Sequence, residues 1–212
     1  MQTLELFCGT KSFSNVAAAR GWKTFTVDID AAHQPDLAQD IRLLGPLDLP
    51  RNIDILWASP PCNAFSVAAI GRNWNADGSP KPSVHLGLEL VAKTMAIICE
   101  VRPRWWFIEN PRAMLRTVHA FEDVVRDAGG IRRTITYCQY GDTRQKPTDV
   151  WTNATWWRPR PRCFPGAACH EAASRGSKAG TQRISTAKER ARIPAPLFQE
   201  IFSQLSQEVS RV

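Results

Sequence analysis

Ile53-Asp54-Ile55-Leu56-Trp57-Ala58-Ser59-Pro60-Pro61-Cys62 is a nearly continuous apolar run that stops at two prolines and a thiol. The run is short and lacks alternation, which suits a strand covered on both faces inside a parallel sheet. The prolines then restrict the backbone and give the strand a rigid exit turn. Working outward, comparable strands are expected at Thr3–Phe7, Thr24–Ile29, Trp105–Ile108, Arg132–Tyr137 and Asp149–Thr152. Helix-period segments lie between them at Ser12–Ala19, Val84–Val101 and Arg112–Asp127, the last ending at Gly129-Gly130. This alternation predicts an α/β fold: a Rossmann-like, doubly wound, mostly parallel sheet formed by residues 1–155. Residues 156–184 read as a small irregular basic insert, rich in Gly, Ser, Ala, Pro and Arg. Residues 185–212 close the chain with a helix at Pro196–Val209, whose Leu197, Ile201 and Leu205 share one face and should dock on the sheet.

The net charge of +7 is concentrated. Residues 156–192 hold nine Lys/Arg against Glu171 and Glu189, while the rest of the chain balances 18 basic with 18 acidic residues. One basic stretch on a neutral body suggests a surface that faces a polyanion. The six cysteines lack the spacing of a disulfide framework. Met1–Glu5 lacks the basic and apolar regions of a signal peptide, and no apolar run is long enough to span a membrane, so a cytoplasmic protein with reduced thiols is expected. Cys163, Cys169 and His170 resemble part of a zinc site. No fourth ligand is evident and the spacing matches no standard finger, so no metal is assigned from sequence.

In an open α/β sheet, ligands bind beyond the carboxyl ends of the strands. Phe7-Cys8-Gly9-Thr10 follows the first strand there, and Asp28 ends the second, where a carboxylate can accept ribose hydroxyls. The first turn lacks the glycine triplet of a dinucleotide site and the Gly-Lys-Ser/Thr of a phosphate loop. A Gly-poor turn with an acid suits a nucleoside without a pyrophosphate, such as S-adenosylmethionine. Cys62 leaves the central strand in a rigid turn, and Glu109 closes the next strand in Trp105-Trp106-Phe107-Ile108-Glu109-Asn110-Pro111. Thiol and carboxyl on neighbouring strands suit a nucleophile and a proton-holding partner.

Taken in order, these segments resemble the DNA (cytosine-5) methyltransferase family, in particular its compact phage- and prophage-type members. Leu4-Glu5-Leu6-Phe7-Cys8-Gly9-Thr10 resembles the first cofactor motif, Val27-Asp28-Ile29-Asp30 the second and Gln39-Asp40-Ile41 the third. Asp54 through Ser66 matches the Pro-Cys motif, and Glu109-Asn110-Pro111 matches Glu-Asn-Val with proline in third place. The resemblance implies that residues 1–155 are the catalytic and cofactor-binding domain. It assigns Phe7, Gly9, Thr10, Asp28, Ile29, Asp40, Ile41, Ser59 and Pro61 to S-adenosylmethionine. It further implies that Cys62 attacks carbon 6 of a flipped-out cytosine while Glu109 engages ring nitrogen 3, and that carbon 5 takes the methyl group.

Residues 63–83 resemble the family's mobile loop, so Asn63, Ser66 and Arg72 are assigned to DNA, with Lys81 and Trp74 available to meet phosphate or fill the vacated stack. Three departures stand out. Asn63 replaces the usual Gln, and the closing Gly-Asn-Ser motif is not evident in Ser185–Pro194. Arg144-Gln145-Lys146-Pro147-Thr148 takes the place of Gln-x-Arg-x-Arg, so Arg144 and Lys146 are the candidates to hold the cytosine carbonyl. The large recognition domain of standard members is replaced by residues 156–184, whose Arg158, Arg160, Arg162, Arg175 and Lys178 are expected on DNA phosphates. The expectation is a monomer acting on double-stranded DNA, in restriction-modification or phage DNA protection. Action on RNA, or an idle DNA-binding relative, stays open on the sequence.

Overall fold

The computed structural model describes residues 1–171 and 186–210. Seven strands form one sheet: β1 (Gln2–Leu6), β2 (Lys23–Asp28), β3 (Leu37–Ala38), β4 (Ile55–Ala58), β5 (Trp105–Pro111), β6 (Ile131–Thr136) and β7 (Pro147–Thr152). Their order is β3-β2-β1-β4-β5-β7-β6, with β7 antiparallel to both neighbours and the other pairings parallel. The helices are α1 (Ser12–Ala18), α2 (Ile70–Asn73), α3 (His85–Val101), α4 (His119–Asp127), α5 (Ala187–Ala191) and α6 (Ala195–Val209). This is the doubly wound, mostly parallel sheet expected from the sequence.

Every residue of β4 is buried, and alternate side chains serve opposite layers. Leu56 and Ala58 join the core that includes Val91, Met95 and Ile98 of α3 with Phe121 and Val125 of α4. Ile55 and Trp57 face Phe13 of α1 and Leu197, Phe198, Ile201, Phe202 and Leu205 of α6. Trp57 stacks on Phe13 at 5.8 Å and meets the edge of Phe198 at 4.8 Å. Burying each such side chain contributes about 1.5–3 kcal/mol, so a strand with two buried faces dispenses with polar alternation. The last helix docks through the face that carries Leu197, Ile201 and Leu205.

Four features differ from expectation. β5 runs on to Pro111 because β7 pairs with it antiparallel as far as Pro111↔Thr148. The helix expected over Arg112–Asp127 is therefore only His119–Asp127, and Met114–Thr117 forms a 3₁₀ turn. Trp157, at the start of the basic segment, is fully buried against Phe107 and belongs to the core. Trp74 is buried too and donates its indole N–H to the Ala64 carbonyl at 2.8 Å. Its body fills the core beside Phe65, so it is not placed to replace a flipped base.

Candidate active site

Strand register builds the site. Leu6 pairs with Val27 on one side and Ala58 on the other, and Ala58 pairs with Ile108. These four residues form one row across the sheet, so the segments leaving the row emerge along a single edge. Phe7 through Thr10, Asp28, the turn from Ser59 to Cys62, and Glu109 with Asn110 are thereby gathered from four separated parts of the chain.

Cys62 opens a 3₁₀ turn, Cys62–Ala64, directly after Pro60 and Pro61. Its carbonyl accepts the N–H groups of Phe65 and Ser66, at 3.0 and 2.9 Å. The buried Asn110 amide donates to the Pro60 carbonyl at 2.9 Å, tying the end of β5 to this turn. A Cβ on Gly87 of α3 would lie 2.5 Å from the Ala64 side chain, so only glycine lets α3 approach this closely. Burial pushes the Cys62 thiol above its ordinary value, and the Glu109 charge adds to the rise. Lys146 and Arg190 pull in the opposite direction.

Glu109 is 6% exposed and lies within β5, opposite Val150. The fully buried Tyr137 hydroxyl donates to its Oε1 at 2.9 Å. Burial and the neighbouring Glu109 charge hold that phenol well above its usual range, so it remains a donor at neutral pH. Lys146 lies over the Tyr137 ring, with Nζ 4.5 Å from the centroid, and donates to the Arg190 carbonyl at 3.2 Å. Arg144 is 3% exposed and ion-pairs with Asp142. It also donates to the carbonyls of Glu189, Arg190 and Arg192, at 3.2, 2.9 and 2.9 Å. The structure thus engages Arg144 in latching the segment around α5 against the loop after β6.

Beside the first two strands lies a cavity of about 230 Å³, lined by Phe7, Asp28, Ile29, Asp40, Ile41 and Pro61 among others. Leu86 and Leu90 of α3 close one wall, and Ile29, 70% exposed, offers an apolar rim. The chain turns sharply after β1, with positive φ at Phe7 (57°), Gly9 (44°) and Lys11 (53°). Asp28 accepts the backbone N–H of Gly9 at 2.8 Å and of Asp30 at 2.9 Å. Each carboxylate oxygen carries further acceptor capacity. Arg42 grips Asp40 through three side-chain N–H bonds, and this donation holds the Asp40 carboxyl below its usual range. Gly9, Thr10 and Ser59 stand outside the cavity lining: Gly9 bonds Asp28 through its backbone N–H, Thr10 bonds Ser12 at 2.7 Å, and Ser59 accepts from the Trp57 indole at 2.9 Å.

The residues assigned to DNA are spread over two faces. Asn63 and Arg72 are exposed and Ser66 is half-buried, all in the segment after Cys62. That segment is anchored by the buried Asn73, whose amide donates to the Asn63 carbonyl at 2.7 Å. Arg160 ion-pairs with Glu200 of α6 at 2.9 Å, and Arg158 bonds Gln204 through its backbone N–H at 2.8 Å. Arg162 is exposed, and Arg175 and Lys178 lie outside the described residues.

Tyr137 and Asn110 were missed as site residues. The signal for Asn110 was its place beside Glu109, and that for Tyr137 was an aromatic hydroxyl at a strand end. Cys138 was missed as well: its sulfur joins the ligand atoms of Cys163, Cys169 and His170, the three residues read from sequence as part of a zinc site, and all four lie within 4.8 Å of one another.

Residues 1–127 match the family model for the C-5 cytosine-specific DNA methylase. The chain belongs to that family. A curated relative, the "Probable DNA (cytosine-5)-methyltransferase" of Frog virus 3 (isolate Goorha), is 29% identical over 95% of this chain and 98% of its own length. Among solved structures, a prophage-encoded E. coli protein assigned as a DNA modification methyltransferase superposes with a TM-score of 0.54 at 16% identity, over 72% of this chain and 46% of its own. The Entamoeba histolytica methyltransferase EhMeth gives 0.52 at 9% identity, over 75% of this chain and 55% of its own. The chain thus spans about half the length of these solved structures, and that likeness concerns the fold. No helix among the described residues is long and apolar enough to cross a membrane.

Proposed function

We propose that this methylase transfers a methyl group from S-adenosylmethionine to carbon 5 of a cytosine in double-stranded DNA, with Cys62 as the nucleophile. The observation that carries the reading is the shared row of strand ends: it sets the Cys62 turn, Glu109 and the cavity beside Asp28 along one edge of the sheet. The cavity's mixture of apolar walls and two carboxylates fits a nucleoside. Ile29, Ile41 and Leu86 would flank the base, and Asp28 would accept from the ribose hydroxyls. S-adenosylmethionine, when bound, supplies an electrophilic methyl group.

The target carbon is inaccessible inside a duplex, so the cytosine must leave the stack. Cys62 adds as a thiolate to carbon 6, forming a carbon–sulfur bond and moving electron density onto carbon 5. A proton shared between the Glu109 carboxyl and ring nitrogen 3 balances that charge as it develops, and the Tyr137 hydroxyl fixes the carboxyl. After carbon 5 is methylated, water takes its proton, the carbon–sulfur bond breaks, and the aromatic ring and the Cys62 thiolate are restored. Because burial raises the thiol, the positive charges of Lys146 and Arg190 have a task here: both favour the thiolate.

Radiolabelled S-adenosylmethionine, offered with duplex DNA or with tRNA, tests the reading. Cys62-dependent label in DNA is expected. Label in tRNA alone, or transfer that survives Cys62→Ala, contradicts it.

A further inference from the structure

We propose that Cys138, Cys163, Cys169 and His170 form a structural zinc(II) site that holds the recognition segment against the catalytic domain. Residue type and geometry agree on this. Three sulfurs and one imidazole nitrogen are a donor set that favours tetrahedral zinc. With Zn–S of ~2.3 Å and Zn–N of ~2.0 Å, tetrahedral edges are roughly 3.8 Å between sulfurs and 3.5 Å from sulfur to nitrogen. Three of the six edges are 3.6 Å for Cys169 Sγ to Cys138 Sγ and 3.4 and 3.7 Å from His170 Nδ1 to Cys163 Sγ and Cys169 Sγ. All four ligand atoms fit within 4.8 Å, and all the cysteines are free thiols.

The surroundings match the chemistry. Gln145 Nε2 donates to Cys163 Sγ at 3.3 Å, and Gln139 Nε2 donates to Cys169 Sγ at 3.4 Å. Such donors steady thiolate ligands from outside the coordination shell. The Cys163 backbone N–H bonds Thr136 at 3.0 Å, and Gly166, at φ 86°, turns the loop so that Cys169 and His170 return to Cys138. An open depression of about 330 Å³, bordered by Cys138, Cys169 and His170, lets an ion enter.

The segment also needs a fastening. No residue from Arg158 to Glu171 is buried, and Phe164 is 69% exposed. A stretch without its own apolar core is typically held by a metal or a disulfide. Cys138 is the neighbour of Tyr137, so an ion here would tie the segment to the strand end that steadies Glu109.

Purified full-length protein, prepared under reducing conditions, should carry about one zinc per chain by elemental analysis. Cobalt(II) exchanged into it should show the visible bands of tetrahedral thiolate coordination. Cys163→Ser and His170→Ala should lower zinc content severalfold, whereas Cys99→Ser, away from the cluster, should leave it unchanged. Should the cluster variants fail to fold, the wild-type metal content and cobalt spectrum decide alone. Fewer than about one zinc in ten chains, with no thiolate–cobalt bands, would overturn the inference, since a preformed site of this kind binds tightly. So would a Cys138–Cys169 disulfide found in protein isolated in parallel without reductant.

Discussion

The two halves of the sheet edge are built by different means. From β1 to β5, the site is positioned by strand register, with β1, β4 and β5 buried along nearly their whole length, and that register lines up Phe7, Asp28, Cys62 and Glu109. From Tyr137 onward, position depends on individual polar fastenings: the Tyr137–Glu109 bond, the Arg144 latch and the sulfur cluster. Apolar burial is distributed and tolerant, whereas a buried polar network depends on each member being satisfied. The chemistry therefore rests on the robust half. In the proposed reaction, the fastenings that steady Glu109 from outside its strand lie in the half that single substitutions can release.

Substitutions on each side test that division. Glu109→Gln should lower the rate of methyl transfer by about 10³-fold, or about 4 kcal/mol, with Cys62 alkylation retained. An equal fall in DNA binding would mean that Glu109 serves binding and not the reaction. Arg144→Ala should destabilise the fold by about 3 kcal/mol in urea, because the half-buried Asp142 loses its counter-ion and three backbone carbonyls lose their donor. Arg144→Lys should not rescue it, since an ammonium group cannot serve Asp142 and three carbonyls at once. If Arg144→Ala instead leaves stability intact but weakens DNA binding, the latch is the wrong reading.

Glu5 tests the apolar half. Burial pushes its carboxyl up to about 7, although the backbone N–H groups of Phe13 and Ser14 donate to it. A raised carboxyl stabilises the fold in its protonated form, so its contribution is complete below the ordinary value of 4.5 and disappears as pH rises to about 7. Glu5→Gln should therefore match wild type below pH 4.5 and exceed it by about 3 kcal/mol above pH 7. A difference that does not change with pH would refute this. The smallest effect is expected from Tyr137→Phe, about 1 kcal/mol or roughly fivefold in rate. It should fall on the rate of transfer and not on affinity for DNA.

The same division explains what the sequence disclosed. The sheet was legible because strands such as Ile55–Ala58 have to be apolar on both faces. Cys62 and Glu109 were legible because their neighbours, Pro60-Pro61 and Asn110-Pro111, mark strand exits. The partners of Arg144 were not: they are backbone carbonyls 45 to 48 residues away, which any residue type supplies. Trp74 looked like a loop residue because its burial depends on Phe65 and the Ala64 carbonyl, contacts without a local pattern. Cys138 escaped notice as a fourth ligand because 25 residues and strand β7 separate it from Cys163, and only the β6–β7 pairing brings them together. The early stop expected for β5 and the overlong helix after it share one cause: antiparallel pairing with β7, which leaves no periodic signature in residues 109–111.

The central claim is the covalent bond between Cys62 and cytosine. Duplex DNA carrying 5-fluorocytosine tests it most directly, because fluorine cannot leave as a proton does and the adduct is trapped. Incubated with S-adenosylmethionine, the wild-type protein should form a DNA-linked species that survives denaturation, with the linkage mapped to Cys62 by mass spectrometry. Cys62→Ala should form none. A trapped species at another cysteine, or methylated cytosine produced without any trappable adduct, would contradict the account.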